Sequence, residues 1–174
     1  SAVLNWDQQT YMPKKGAAPR AEVLATLDKL AHEFFTTDAI GKLLNELQED
    51  AAKLDYASDD ASLIRVTRRE YAKAKRVPAK LVQEISRTAA LAEPAWEQAR
   101  EKSDFKIFQP HLEKIVELEI QLAEYLGYTE HIYDALLDQY EPGRTTNQVA
   151  AIFDTLKKDV VPLVQAIAAK TDSV

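Results

Sequence analysis

Apolar residues recur three and four positions apart along most of this chain, and this spacing constrains its fold more than any other feature. Behind Pro19, for example, it places Val23, Leu27, Leu30 and Phe34 on one face of a helix. No segment alternates apolar and polar residues as a half-buried strand would. Only 4 of the 174 residues are glycine, which argues against a turn-rich β architecture. The sequence therefore predicts an all-α protein.

The same spacing predicts about seven helices in a bundle-like array, within a single helical region over residues 1–174. Asp38 is expected to cap the second helix and Ser103 to cap a short turn, and Pro94 is expected to kink or split the fourth helix. The first two predicted helices begin at Pro19 and Asp38. The third spans Leu63–Arg76 after the loop ASDDAS, and the fourth begins at Pro78. The fifth runs from Pro110 to Gly127, the sixth spans about Glu130–Tyr140, and the seventh begins after Gly143.

Composition and charge argue against several classes of protein. Without cysteine the chain has no disulfide and no thiolate metal site, which suits a cytoplasmic protein. No window approaches the roughly 18 uninterrupted apolar residues of a membrane span. The opening residues, SAVLNWDQQTYMP, lack the basic and apolar regions of a signal peptide. The net charge is −6, and residues 88–174 carry 8 basic against 15 acidic side chains, which disfavours a nucleic-acid partner.

The most patterned stretch is IYDALLDQYEPGRTTNQVAAIFDTL, residues 132–156, which has the features of a joint between two helices. Pro142-Gly143 ends one helix, because proline lacks an amide hydrogen and glycine tolerates a left-handed backbone. Thr145 and Gln148 fit a capping box at the start of the next helix. The sequence therefore predicts a left-handed Gly143 and a threonine hydroxyl bonded to the first turn of the last helix.

Acidic residues in this stretch admit a second interpretation. Asp134 and Asp138 lie four residues apart on one helix face, with His131 one turn earlier, so the three side chains could hold a metal. A capped surface face is the preferred interpretation. A different face, formed by Ile132, Leu136 and Tyr140, is suited to a core.

No complete catalytic motif is present. A helical zinc-peptidase site needs His-Glu-x-x-His, and the nearest approach, His32-Glu33-Phe34-Phe35-Thr36, has threonine in place of the second histidine. None of His32, His111 or His131 follows a glutamate by three residues, which excludes the di-iron bundle pattern. There is also no nucleophile motif and no phosphate-binding glycine loop. We therefore predict neither catalytic nor metal-binding residues in this chain.

Two charged features are left with open interpretations. The helix over residues 65–76, RVTRREYAKAKR, is either a cationic surface for phosphate or carboxylate or a solvated helix balanced by the acids at 49–60, which is preferred. Glu119 falls inside an apolar stripe and is expected to form a structural ion pair rather than to act in catalysis, because burying a lone carboxylate is costly. That stripe consists of Leu112, Ile115, Val116, Leu122, Ala123 and Leu126.

Four motifs resemble the carboxypeptidase Taq family of thermostable, metal-dependent carboxypeptidases. They occur in order along nearly the whole chain: LNWDQQTYMP (4–13), PRAEVLATLDKLAHE (19–33), AWEQAREKSDFKIFQPHLEKIVEL (95–118) and YDALLDQYEPG (133–143). The resemblance implies a mostly helical zinc exopeptidase that removes C-terminal residues from peptides, usually as a homodimer. It also implies that the family's His-Glu-x-x-His motif and glutamate ligand lie beyond the equivalent of Val174.

The chain thus resembles the N-terminal portion of such an enzyme, forming a wall and cap of the substrate cleft. We expect zinc or a similar divalent metal and a peptide substrate in the full-length enzyme, no cofactor in this portion, and no activity of the portion alone. The resemblance gives Asp134, Asp138, Tyr140 and Glu141 a conditional role as cleft-wall or interdomain contacts. The alternatives are a stand-alone helical binding module, which is distinguished by whether the gene continues past Val174, and a metal-binding bundle of another kind.

Overall fold

A computed structural model describes residues 2–170 of the chain. These residues form eight α-helices and two short 3-10 helices and contain no strand, which confirms the all-α prediction. None of the helices in this range combines the length and apolarity needed to cross a membrane. The α-helices are α1 (Ala2–Thr10), α2 (Ala17–Phe35), α3 (Asp38–Ala51), α4 (Asp59–Ala74), α5 (Ala79–Lys102), α6 (Gln109–Leu126), α7 (Ile132–Leu137) and α8 (Thr146–Ala168), and the 3-10 helices are Lys14–Gly16 and Phe105–Ile107.

Helix ends follow local signals, although not always at the predicted residue. Helix α1 was not predicted. Ser58 accepts a hydrogen bond from the amide of Ala61, so α4 begins at Asp59, within the segment predicted as a loop. Asp38 is the first residue of α3 rather than its cap, and its side chain pairs instead with Lys75.

The prediction for Ser103 was also wrong in detail. Ser103 has a left-handed backbone with φ 50° and ends α5, and the carboxylate of Asp104 caps the following 3-10 helix by accepting from the amide of Lys106. The prediction for Gly127 is confirmed. It follows the end of α6 with φ 77°, where a residue without a β-carbon is favoured.

Pro94 does not split α5, which runs unbroken from Ala79 to Lys102. Proline has no amide hydrogen, so the carbonyl of Ala90, four residues earlier, lacks its usual partner in the helix. The side-chain amide of Gln8 in α1 donates to that carbonyl at 3.3 Å and to the carboxylate of Glu93 at 2.7 Å. A tertiary hydrogen bond from Gln8 therefore replaces the helical hydrogen bond that the Ala90 carbonyl loses because of Pro94.

The described residues group into two compact units, 1–126 and 127–174, the second described as far as Lys170. The prediction of a single helical region over 1–174 stays a prediction.

The contact between α2 and α5 is the most extensive helix pairing of the first unit. Ala21, Leu24 and Ala90 form its buried centre, with Leu4 and Leu91 packed against it. The four residues predicted to share the apolar face of α2, namely Val23, Leu27, Leu30 and Phe34, are instead 41–72% exposed. The helix therefore buries its alanine-rich face, because small side chains allow two helices to approach closely.

A second core cluster joins α5 and α6. Val77, Leu81 and Leu118 are buried at its centre. Glu119, which was expected within the core and in an ion pair, is half-buried and has no ion-pair partner among residues 2–170. Leu118, which the predicted stripe did not include, occupies the core position instead with 3% of its surface exposed.

Candidate functional site

The predicted joint lies in the second unit, where α7 begins at a capped N-terminus. The Nδ1 atom of His131 accepts a hydrogen bond from the amide of Tyr133 at 3.0 Å, and Asp134 Oδ2 accepts from the amide of His131 at 3.1 Å. The two bonds form a reciprocal capping box with histidine in the place of the usual serine or threonine.

The turn between the helices is built around Gly143. Its φ of 80° is in the left-handed region, as predicted. Its amide donates to Asp138 Oδ1 at 2.7 Å, so the last turn of α7 is linked directly to the connection. A β-carbon on Gly143 would meet no atom within 4 Å, so the requirement for glycine comes from the backbone conformation alone.

Helix α8 begins with the predicted capping box. The Thr145 hydroxyl accepts from the amide of Gln148 at 3.4 Å, and the Gln148 side chain accepts from the amide of Thr145 at 3.2 Å. The sequence identified both partners, because they lie three residues apart.

Asp134 links the two helix N-termini, a contact that the sequence did not indicate. Its Oδ1 accepts from the Thr146 amide at 2.6 Å and from the Thr146 hydroxyl at 2.5 Å, in addition to the bond from the His131 amide. The Thr146 hydroxyl, then the Thr146 amide, hold the pKa of Asp134 below its ordinary value. No local pattern identifies such a pair, because Asp134 and Thr146 are twelve residues apart.

The four residues predicted as contacts fall into two pairs. The carboxylates of Asp134 and Asp138 accept hydrogen bonds within the joint, whereas Tyr140 is 85% exposed and Glu141 is also exposed. The prediction that Tyr140 shares a core face was therefore wrong. The buried residue of α7 is Ala135.

The metal interpretation of His131, Asp134 and Asp138 has no support in the geometry. Nδ1 of His131 and both Asp134 oxygens accept backbone or hydroxyl hydrogen bonds, and these bonds account for the cluster. In the described part of the chain no three histidine, cysteine or acidic side chains are arranged to hold a metal ion. The residues described here therefore do not fit a catalytic metal.

A cavity that sequence reasoning missed lies in the first unit between α1 and α5. Its volume is about 380 Å³, and Gln8 and Met12 form part of its wall. Glu93, Glu97 and Glu101 line it from α5, and their spacing of four residues is the signal that places them on one helix face.

Substitution of Gly143 tests the joint. We expect Gly143→Val to destabilise the protein by about 1–3 kcal/mol, because a β-branched residue is strained in the left-handed region. Thr145→Ala should cost about 1 kcal/mol through the lost cap. Chemical denaturation monitored by circular dichroism measures both. Gly16→Ala is the control, since Gly16 has a φ of −81°. An unchanged free energy of unfolding for Gly143→Val would contradict the left-handed assignment.

Asp134 should make the joint sensitive to acid. Since its pKa is below the ordinary 3.8, the folded protein keeps this carboxylate ionised where the unfolded chain takes up a proton. The contribution of the Asp134 carboxylate to the free energy of unfolding is complete at pH values above 3.8 and is lost as pH falls through the lower pKa of the folded state. We expect the difference in unfolding midpoint between wild type and Asp134→Ala to be constant from about pH 7 to 5 and to shrink below about pH 4. Asp154→Ala, which removes an exposed aspartate from α8 outside the joint, is the matched control.

Comparison with known proteins places the whole chain in one family. Residues 1–174 match the family model of carboxypeptidase Taq (M32) metallopeptidase. The chain is 38% identical over 167 residues to thermostable carboxypeptidase 1 of Pyrococcus furiosus and 36% identical over 168 residues to carboxypeptidase 1 of Bacillus subtilis. These alignments cover 95% and 97% of the chain but 33% of each relative, so the chain spans about a third of the length of the curated relatives it matches.

A solved structure is similar to this chain in fold as well as in sequence. The BsuCP crystal structure matches with a TM-score of 0.89 and 36% identity, over 97% of this chain and 33% of that one. The resemblance predicted from the four motifs is thereby confirmed, and the chain belongs to the carboxypeptidase Taq (M32) metallopeptidase family.

Proposed function

We propose that this chain forms the N-terminal helical third of a metal-dependent carboxypeptidase, which hydrolyses C-terminal residues from peptides, and that it serves as a wall and cap of the substrate cleft. The observation that carries the proposal is the family match over residues 1–174, together with relatives named as carboxypeptidases that are three times as long.

The catalytic metal is proposed to be zinc or a similar divalent ion held by residues outside this chain. The family is one of metallopeptidases, and the described residues offer no set of ligands. The metal would supply Lewis-acid chemistry at the scissile carbonyl in the full-length enzyme. The part played by the present chain is to enclose the cleft and to position contacts around it.

Helix α8 supports the proposal that more protein packs around this chain. Every residue from 150 to 170 is exposed, although this helix is rich in large apolar side chains. Contiguous apolar surface of this kind is normally buried against other protein. The exposed apolar residues are Ile152, Phe153, Leu156, Val160, Val161, Leu163, Val164 and Ile167, which lie between 41% and 59% exposed.

Tyr140 and Glu141 are the proposed contacts to substrate or to the rest of the enzyme. Both are exposed just before the turn at Gly143. Asp134 and Asp138 act on them indirectly, as positioning residues, because their hydrogen bonds fix the helix and the turn that carry this pair. Of the four residues, we therefore propose Tyr140 and Glu141 as contacts and Asp134 and Asp138 as positioning residues.

A homodimer in the cytoplasm completes the proposal. The dimer follows from the family resemblance, and the absence of cysteine from the chain suits a reducing compartment. Light scattering coupled to gel filtration of the full-length enzyme measures its oligomeric state, and a mass equal to one subunit would contradict the proposed dimer.

The metal content and activity of two proteins test the proposed function. The full-length enzyme should hold about one divalent metal per chain, release C-terminal amino acids from an unblocked peptide, and lose this activity to a chelator. The 174-residue chain should hold no stoichiometric metal and release nothing, because it lacks two imidazoles at helical spacing.

Elemental analysis and chromatography of the released amino acids provide the measurements. A peptide amidated at its C-terminus is the substrate control, since a carboxypeptidase needs the free carboxylate. Tightly held metal or amino-acid release by the 174-residue chain would contradict the assignment of all catalytic groups to the remainder of the enzyme. A full-length enzyme without peptidase activity would contradict the proposed function itself.

A further inference from the structure

An open groove between α3 and α4 has a charge opposite to that of the chain as a whole. Its volume is about 560 Å³. Four cationic side chains line it, and the only acidic side chain among its lining residues is Asp38. The cations are Lys42, Arg68, Lys75 and Arg76. The chain as a whole carries a net charge of −6, so this groove is a local excess of positive charge.

The floor of the groove is set by a close approach of the two helices. Tyr71 on α4 lies over Gly41 on α3, where an added β-carbon would come within 2.5 Å of the tyrosine oxygen. The hydroxyl donates to the carbonyl of Thr37 at 3.1 Å, and the tyrosine ring meets Phe35 edge to face. The tyrosine is therefore held in place, and a glycine inside a helix, normally unfavourable, is explained by this contact.

Within the described part of the chain, only one of the four cations is paired with a carboxylate. Lys75 donates to Asp38 at 2.8 Å and to the carbonyl of Thr36 at 2.8 Å. Among residues 2–170, Arg68 and Arg76 bond only to backbone carbonyls, those of Leu44 at 3.5 Å and Leu126 at 2.7 Å. Each arginine bond uses one of five guanidinium N–H groups, so both retain donors for a ligand.

Lys42 makes no hydrogen bond or ion pair among residues 2–170. The hydrogen bond from Lys75 lowers the pKa of Asp38, and the charge of Lys42 adds a smaller effect in the same direction. With four cations against one acid, the lining carries a local charge of +3.

None of the acids at 49–60 is among the residues that line the groove. Asp50 pairs with Lys53, and Asp55 accepts from the backbone amide of Ala57. The preferred interpretation of the basic helix, a solvated surface balanced by those acids, stays a prediction, but Arg68 and Arg76 make no ion pair with those acids among the described residues. The alternative, a cationic surface for phosphate or carboxylate, fits the contacts.

We propose that the groove between α3 and α4 binds a small multivalent anion carrying phosphate or carboxylate groups. Guanidinium groups match the paired oxygens of both, and three uncompensated positive charges favour a ligand with more than one negative charge. The volume is within the range of small-ligand sites. This site is independent of the carboxypeptidase assignment, because it uses none of the residues placed near the substrate.

Isothermal titration calorimetry of the 174-residue chain tests the proposal, with pyrophosphate and citrate as separate probes at constant ionic strength. We expect one anion per chain, with a sodium chloride titration showing no saturable heat. Binding of pyrophosphate alone identifies a phosphate ligand and binding of citrate alone a carboxylate ligand, and either result supports the site. Absence of saturable binding by both anions would overturn it.

Three variants locate the site. Arg68→Gln and Arg76→Gln should each weaken binding about tenfold or more, because each removes charge-assisted hydrogen bonds. Lys42→Gln should also weaken binding. It breaks no hydrogen bond or ion pair within residues 2–170, so we expect this variant to keep the fold. Arg100→Gln removes the same charge from an exposed position on α5 outside the groove and should leave the affinity unchanged. An equal loss in Arg100→Gln would show diffuse attraction and overturn the proposal.

Discussion

Replacing Leu24 by alanine is expected to lower the free energy of unfolding by about 2–5 kcal/mol. Leu24 is 4% exposed and lies at the centre of the α2–α5 contact with Ala21 and Ala90. The substitution removes buried methyl groups and leaves a cavity, because the neighbouring alanines are too short to fill the space. Urea denaturation of the wild type and the variant, followed by circular dichroism at a helix wavelength, measures the difference.

Leu27→Ala on the same helix is the matched control. Leu27 is 41% exposed, so Leu27→Ala should lower the free energy of unfolding by well under half of the loss expected for Leu24→Ala. The pair of variants decides which face of α2 is buried. Equal losses of stability for the two variants, or a larger loss for Leu27→Ala, would show that α2 buries the face predicted from the sequence.

Leu118→Ala should produce a second large loss, again about 2–5 kcal/mol. Leu118 is 3% exposed and packs with Val77 and Leu81 in the cluster between α5 and α6. The cavity would remove contacts to two helical segments at once. Thermal and urea unfolding both report the change.

The adjacent residue provides the control on α6. Glu119→Gln should leave the free energy of unfolding nearly unchanged, because Glu119 is half-buried and has no ion-pair partner in the part of the chain described. A loss of about 3–5 kcal/mol on this substitution would instead reveal a buried ion pair and contradict the helix orientation.

The errors in helix orientation share one cause. On α2 the larger apolar side chains Val23, Leu27 and Leu30 form a regular stripe, yet the buried face is Ala21, Leu24 and Ala25. A hydrophobic pattern records which faces are able to be buried, and the partner helix decides which one is. Exposed apolar residues on α2 and α8 are faces that the described residues leave uncovered.

Helix ends were predicted better than helix faces. The left-handed Gly143, the Thr145–Gln148 capping box and the end of α6 at Gly127 all matched. Such signals act within about four residues, where sequence separation and spatial separation coincide. Where a side chain reached further, prediction failed, as with Asp38 pairing with Lys75 and Gln8 donating to the carbonyl freed by Pro94.

The sequence by itself determined that this protein is all-α, how the joint at Gly143 and the start of α8 are built, and which family the chain belongs to, because periodicity, capping and motifs are properties of short segments. Only the tertiary structure decided which helix faces are buried, that Asp134 ties α7 to α8 through Thr146, and that four cations from α3, α4 and the residues after α4 line one groove with a single acid, Asp38. These outcomes depend on which distant residues come within a few ångströms, and that is fixed by the packing of helices against one another rather than by the order of residues within any one of them.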